Sequence, residues 1–122
     1  MSVNVLKGTL RQDAGGCWVE AQGSRWPVAA SVQGDDGQAV HFGIRPADLA
    51  ISAHGNGIAA RVIVVEPTGA ATELLLQVGN EKLIVVMHGR TSVRPDESVM
   101  LEIAAGKAHV FDSASGSGIR LE

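Results

Sequence analysis

The sequence contains no tyrosine, only two phenylalanines and only two tryptophans among 122 residues. Proteins that hold single-stranded nucleic acid stack its bases on aromatic platforms above a basic groove. This chain has little of either, because its formal charge is −3 and its pI is about 5.8. A nucleic-acid partner is therefore not expected. With a single cysteine no internal disulfide can form, which suits a reducing compartment. No run approaches the ~20 apolar residues that span a bilayer, and the N-terminus lacks the basic-then-apolar layout of a secretion signal. The expectation is a soluble, cytoplasmic chain. His41, His54, His88 and His109 are widely spaced, without the short ligand spacings of a zinc site. Cys17 has no visible base or electropositive setting to make it a nucleophile, and beside Trp18 it reads as packing. Asp35-Asp36 and Asp96-Glu97 read as solvated turns, with too few alternating oxygens for calcium. No nucleophile–base pair or pair of carboxylates stands out, so catalysis by this chain is not expected.

What is present is turn chemistry and apolar strands. Fifteen glycines and four prolines favour many short strands over long helices. At 45% apolar composition and domain-sized length the chain can bury roughly 65% of its unfolded surface. The strands read off as Val3–Arg11, with Val3, Val5 and Leu10 as inward candidates, Cys17–Ala21, Arg25–Val28 with a possible extension from Ala29 to Gln33, Gln38–Arg45, Ile58–Glu66, Thr72–Val78, Lys82–Met87, Ser98–Ile103 and Ala108–Phe111. Pro27 puts its segment at an edge or a strand start. The Ser/Gly-rich stretch 113–118 is expected to be flexible. About eight or nine short strands at this spacing predict an all-β fold, a small barrel or sandwich within one domain, 1–122.

The organising stretch is His41-Phe42-Gly43-Ile44-Arg45-Pro46-Ala47-Asp48-Leu49. Val40, Phe42 and Ile44 alternate as in a strand, and Pro46 ends it, having no N–H to give. Ala47-Asp48-Leu49 then reads as one tight helical turn. The segment resembles the G-[IV]-R-P-[EA]-[DH]-[LI] signature of the TOBE (transport-associated OB) regulatory domain of bacterial ABC-importer ATPases of the maltose, glycerol-3-phosphate and sugar type. Three further segments match in order. Val3-Asn4-Val5-Leu6 is similar to M-N-[FLV]-[LI]. Val64-Val65-Glu66-Pro67-Thr68-Gly69 is similar to V-E-x-[LT]-G. Leu101 with His109-Val110-Phe111-Asp112 is similar to the closing segment that ends in H-[LV]-F-D, and Gly118-Ile119-Arg120-Leu121 stands where T-G-x-R-[LI] follows. The chain departs from the family at Ala71, where an acid is common, at Pro95-Asp96-Glu97-Ser98 in place of G-D, and in its longer Ser/Gly tail.

The resemblance implies an OB-like small barrel that regulates and braces an ATPase dimer. The chain has no G-x-x-x-x-G-K-[ST] loop to cradle phosphates, no Walker-B-like run and no L-S-G-G-Q-like segment. The catalytic domain, with its ATP and Mg²⁺, is then expected upstream and outside this chain. The implied partners are that nucleotide-binding domain, a second copy of the ATPase, membrane permease subunits and possible regulatory proteins. Related small domains bind molybdate, so an oxyanion module is the alternative, with Ser98, Thr72, Lys82 and Lys107 available to it.

Several residues are candidates for contact or regulation. Arg45, Pro46 and Asp48 form a surface turn whose plainer reading is a local Arg45–Asp48 pair. Glu66 and Gly69 close a strand, with Gly69 suited to a left-handed turn. The runs 74–76 and 83–87 are apolar without alternation. A strand with one wet face should alternate, so both faces are expected to be covered, which nominates Leu75 and Val85 for an interface. The plainer reading is two small barrels packed on each other. His109 and Asp112 are a candidate pH-sensitive pair, with Phe111 expected in the core.

Overall fold

The computed structural model describes residues 3–29, 34–113 and 118–119. They form eleven strands and two single turns of 3-10 helix. The strands are β1 (Asn4–Asp13), β2 (Gly16–Ala21), β3 (Ser24–Pro27), β4 (Ala39–Ile44), β5 (Leu49–Ile51), β6 (Ile58–Pro67), β7 (Ala71–Val78), β8 (Glu81–His88), β9 (Ser98–Ile103), β10 (His109–Asp112) and β11 (Gly118–Ile119). The all-β class holds, and a helical turn follows Arg45, over Pro46–Asp48 and so one residue earlier than the expected 47–49. Three elements exceed the expectation. Leu49–Ile51 is itself a strand, because β9 offers it a ladder from Leu49↔Ile103 to Ile51↔Leu101. β11 pairs with β10. Ala105–Lys107 form a second turn, in which the Lys107 N–H donates to the Ala104 carbonyl at 2.9 Å. The expected strand extension over 30–33 and the expected flexible stretch over 114–117 lie outside the described residues.

The strands make two antiparallel sheets. One runs β11-β10-β4-β1-β2-β3 and the other β5-β9-β6-β7-β8. The two halves of the sequence do not close separately, since β10 returns from the second half to pair with β4, Val110 opposite Phe42. Nor are there two interiors. Leu6, Leu10, Val19, Trp26, Phe42 and Ile44 from the first sheet join Val62, Leu74, Leu76, Leu83, Val85 and Leu101 from the second in one buried cluster. Each such side chain contributes roughly 1.5–3 kcal/mol by leaving water. Trp26 anchors it, its ring 5.5 Å from that of Phe42 and its indole N–H donated to the Ala21 carbonyl at 3.0 Å.

Two strands turn the opposite way from the expectation. Val3 and Val5 are 49% and 53% exposed, while Asn4 and Leu6 point inward. Phe111 is 37% exposed and Val110 takes the core. In β1 the cause is Asn4. Its side-chain amide donates to the Ile84 carbonyl at 2.8 Å, and its oxygen accepts the Ile84 N–H at 2.9 Å. β8 is the free edge of its sheet, so a side chain here completes a ladder that no strand completes. A buried amide with both functions paired carries little penalty, and one polar residue thereby joins the two sheets.

A candidate contact face beside the signature turn

The signature turn is built locally. Arg45 is extended (φ −72, ψ 147) and Pro46 opens the turn, where its missing N–H is no loss. The Asp48 N–H donates to the Arg45 carbonyl at 2.9 Å, and Arg45 Nε donates to Asp48 Oδ2 at 3.1 Å. The expected local pair is therefore formed. None of Pro46–Asp48 is buried, but Leu49, next in the chain, is 2% exposed and fastens the turn to the core. Across from it stand Glu73, Ile84 and Val86, and together with Arg45, Pro46, Ala47 and Asp48 they line a surface groove of about 550 Å³.

This groove is one end of a larger face, the outer side of β6, β7 and β8. The registers line its side chains up in three rows. Val64, Leu75 and Ile84 form an apolar row. On one side of it Glu66, Glu73 and Val86 form a second row. On the other, Arg61, Gln77 and Lys82 form a third, which Ser98 of β9 extends. A bulge between Val62 and Val64 adds Ile63 to β6 and restores the alternation beyond it. Val64 is 44% exposed, and Leu75, Ile84 and Val86 are half-buried.

The structure therefore places Arg45, Pro46, Asp48, Glu66 and Leu75 on or beside one face. Val85 does not belong there. It is fully buried and packs in the core, because Val85 faces Leu74 while Leu75 faces Ile84. The reason is the hairpin turn. Val78 pairs with Glu81, leaving the two-residue loop Gly79-Asn80, with Gly79 at φ +59, as a type II′ turn asks of its first central residue. A three-residue loop through Glu81 would have put Leu75 opposite Val85, and a one-residue slip exchanges the faces of a strand. The continuous runs do have two covered sides: Leu74, Leu76, Leu83 and Val85 inward, Leu75, Ile84 and Val86 outward and half-covered.

The remaining candidates lie elsewhere. Gly69 sits at φ +82 in the β6–β7 turn with open space where a Cβ would go, so it serves the backbone. Nearby, Thr72 Oγ1 donates to the Gly89 carbonyl at 2.8 Å. His109 and Asp112 are on β10, in the other sheet. The His109 ring stacks on Phe111 at 6.4 Å, and Asp112 Oδ1 accepts from Gln38 Nε2 at 2.9 Å. Cys17 is half-buried, its Sγ donated to the Ala29 carbonyl at 3.2 Å, and burial pushes its thiol above the ordinary range. Among the described residues no three His, Cys, Asp or Glu side chains cluster to hold a metal ion, and no helix is long and apolar enough to cross a membrane. Sequence reading missed Glu73, Ile84, Val86, Arg61 and Lys82. The signal for them was the loop length at Gly79-Asn80, which sets the face of every residue in the hairpin.

The family model of the TOBE domain matches residues 42–111. The chain is 35% identical over 118 residues to an ABC transporter ATP-binding protein of Sinorhizobium fredii, covering 97% of this chain and 31% of that protein. It is 30% identical over 115 residues to a putative ATP-binding protein of Brucella abortus, covering 94% of this chain and 31% of the relative. It is 29% identical over 86 residues to an sn-glycerol-3-phosphate import ATP-binding protein of Agrobacterium fabrum, covering 70% of this chain and 23% of that one. The chain thus spans less than a third of the length of these curated relatives. Among solved structures, the cytoplasmic molybdate-binding protein ModG superposes with a TM-score of 0.68 at 18% identity, covering 88% of this chain and 94% of the ModG chain. That likeness is one of fold.

Proposed function

Because this chain belongs to the TOBE domain family, we propose that it is the non-catalytic regulatory and dimer-bracing domain of an ABC importer ATPase. ATP and Mg²⁺ belong to the nucleotide-binding domain of that ATPase, on the cytoplasmic side of the inner membrane, and the permease subunits are reached through the whole protein. The glycerol-3-phosphate importer among the relatives supports a sugar, polyol or glycerol phosphate as the transported solute. The observation that carries the reading is the groove beside Arg45-Pro46-Ala47-Asp48. A turn already closed by its own ion pair stands against the outward apolar side chains Ile84 and Val86. Such a surface holds a neighbour in place. A rigid sheet carrying it can keep two catalytic domains in register while they open and close.

The test uses the full ATPase with and without this segment. Truncation is expected to leave ATP binding intact and to weaken dimerisation at least tenfold. An equally tight dimer after truncation overturns the reading.

One observation favours a second reading, an oxyanion-binding module: the fold shared with a molybdate-binding protein. Against it, Ser98 and Lys82 stand three strands apart in one row, about 14 Å at the usual strand spacing. The Thr72 hydroxyl is already given to Gly89. Equilibrium titration of the chain with molybdate, tungstate and sulfate separates the two, tight binding supporting the module.

A further inference from the structure

Of the asparagines Asn4, Asn56 and Asn80, only Asn56 precedes a glycine. Asn56-Gly57 ends the loop between β5 and β6, and residues 53–57 are all exposed. Gly57 stands at φ +126, and a Cβ there would fall on the Leu101 carbonyl. The fold itself therefore demands glycine after this asparagine. Among the described residues neither the Asn56 side-chain amide nor the Gly57 N–H has a hydrogen-bond partner. The loop is tied earlier, where the Ser52 N–H donates to the Met100 carbonyl at 2.7 Å and the His54 N–H to Ser52 Oγ at 3.2 Å. Comparable sites elsewhere are held. Asn4 is buried with both amide functions on Ile84, and valine follows it. Asn80 is followed by Glu81, which the ladder pairs with Val78. In the Asp-Gly pair Asp36-Gly37, the Gly37 N–H donates to the Leu10 carbonyl at 2.7 Å, and Asp36 Oδ1 accepts the Gln12 N–H at 2.9 Å.

We infer that Asn56-Gly57 is a self-modification site, at which the chain deamidates in water without an enzyme. The Gly57 nitrogen gives its proton to a solvent base and attacks the Asn56 side-chain carbonyl carbon. The carbon–nitrogen bond of the side-chain amide breaks, and ammonia leaves with a proton from solvent. A succinimide ring closes across the two residues. Glycine has no side chain to hinder that attack, and no hydrogen bond has to break first. Water then opens the ring. Opening at the side-chain carbonyl gives aspartate, and opening at the main-chain carbonyl gives isoaspartate, whose backbone is one methylene longer. Either product carries a new carboxylate, so the formal charge passes from −3 to one unit lower. Asn56 lines a cavity of about 460 Å³ at the seam between the sheets, with Arg25, Pro27, Leu101, Glu102 and Ile103. Glu102 there is already engaged with Ser52 Oγ at 2.8 Å. Arg25 has no ion pair among the described residues and lies over the Trp18 ring at 4.6 Å. The new carboxylate thus enters a wall that holds an unpaired guanidinium. The two products act differently on the fold. Aspartate keeps the backbone. Isoaspartate pushes on Gly57, which has no room against Leu101, and so loosens the first pair of the β6–β9 ladder, Ile58 with Leu101. The inference is independent of the bracing function.

The test is made on the folded chain, kept in mildly alkaline buffer at body temperature. Peptide mapping by mass spectrometry follows each site, and electron-transfer fragmentation tells isoaspartate from aspartate. Asn56 should gain one mass unit within days, as a mixture of both products. Asn4 and Asn80 should react at least tenfold more slowly, and Asp36 should show no isoaspartate over the same interval. In denaturant the bonds that hold Asp36-Gly37 are gone, and isoaspartate should begin to form there, while Asn56 reacts within severalfold of its folded rate. An Asn56→Gln chain should stay unmodified in its place. The two products are then separated, and amide exchange at Ile58 should be faster in the isoaspartyl form than in the aspartyl form. Asn56 intact in the folded chain but reactive in denaturant overturns the inference, because the fold would then protect the site. So does isoaspartate at Asp36 as fast as at Asn56 in the folded chain, which would mean that the hydrogen bonds select nothing. Equal exchange at Ile58 in the two products overturns the link from the loop to the β6–β9 ladder.

Discussion

The outer faces of the two sheets are both partly apolar, yet they are built differently. On the five-stranded sheet, Leu75, Ile84 and Val86 are half-buried, lie in cross-strand rows and are flanked by ordered charges. On the six-stranded sheet, Val3, Val5 and Phe111 are 49%, 53% and 37% exposed around Gly43. There the phase of the strand was decided from inside: Asn4 had to reach the Ile84 backbone, so its valine neighbours had to point out. One face is ordered in rows across three strands. The other is the by-product of a polar residue needed in a seam. Exposed valine and leucine therefore do not by themselves mark an interface.

The sharpest way to break this comparison is to truncate two adjacent leucines. Leu74 is fully buried and Leu75, its neighbour, faces outward. Leu74→Ala removes packing from the core and is expected to destabilise by about 2–5 kcal/mol in denaturant unfolding. Leu75→Ala should cost about 1 kcal/mol or less and act on dimerisation instead. Equal losses at the two positions would mean that the hairpin register is wrong by one residue.

The seam comes next. Asn4→Ala deletes both bonds to Ile84 and leaves that residue's N–H and carbonyl facing an apolar side chain. An unmet buried pair of this kind costs about 1–3 kcal/mol. Amide hydrogen exchange should quicken at Ile84 well before it changes at Leu74 or Leu76, whose ladders are complete. If Ile84 exchanges no faster in the variant, Asn4 does not close the edge of β8. A smaller effect is expected at Phe111. A buried phenylalanine would lose about 3–5 kcal/mol on truncation, but Phe111→Ser, at 37% exposure, should lose no more than about 1 kcal/mol.

These contrasts also mark what could be read from the residues alone. The all-β class, most strand positions, the turn at Pro46 and its Arg45–Asp48 pair follow from proline chemistry, glycine spacing and apolar runs, all of which act within a few residues. The phases of β1 and β10 do not. Val3-Asn4-Val5-Leu6 carries apolar residues in both phases, and what chooses between them is a hydrogen bond to a residue eighty positions away. The outer face of β6, β7 and β8 was half legible. Leu75 and Glu66, nominated from an unalternating run and a strand end, do lie on it. Val85 was misplaced because the loop was read one residue too long. Ile84, Glu73, Arg61 and Lys82 become visible only when that loop has two residues and the registers can be followed across three strands. Local chemistry writes the elements, and the pairing between them writes the surface.

The smallest expected effect concerns the motif that is easiest to see in the sequence. The Arg45–Asp48 bridge is short, 3.1 Å, but the Arg45 side chain is 48% exposed and its partner 16%. Solvent and salt screen such a pair, and exposed bridges of this kind are worth about 0.2–1 kcal/mol. Leu49 and the β5–β9 ladder hold the turn in place without it. Arg45→Gln should therefore lower the melting temperature by only a few degrees, and by less as salt is raised. A residue that the fold scarcely needs, at the mouth of a groove lined by Ile84 and Val86, is free to serve contact. In the full ATPase the same change should then shift dimer affinity or the control of ATP hydrolysis several-fold while thermal stability barely moves. If stability falls by several kcal/mol and dimer affinity does not change, Arg45 is a structural clamp, and the functional weight of this region belongs to the row of Val64, Leu75 and Ile84 alone.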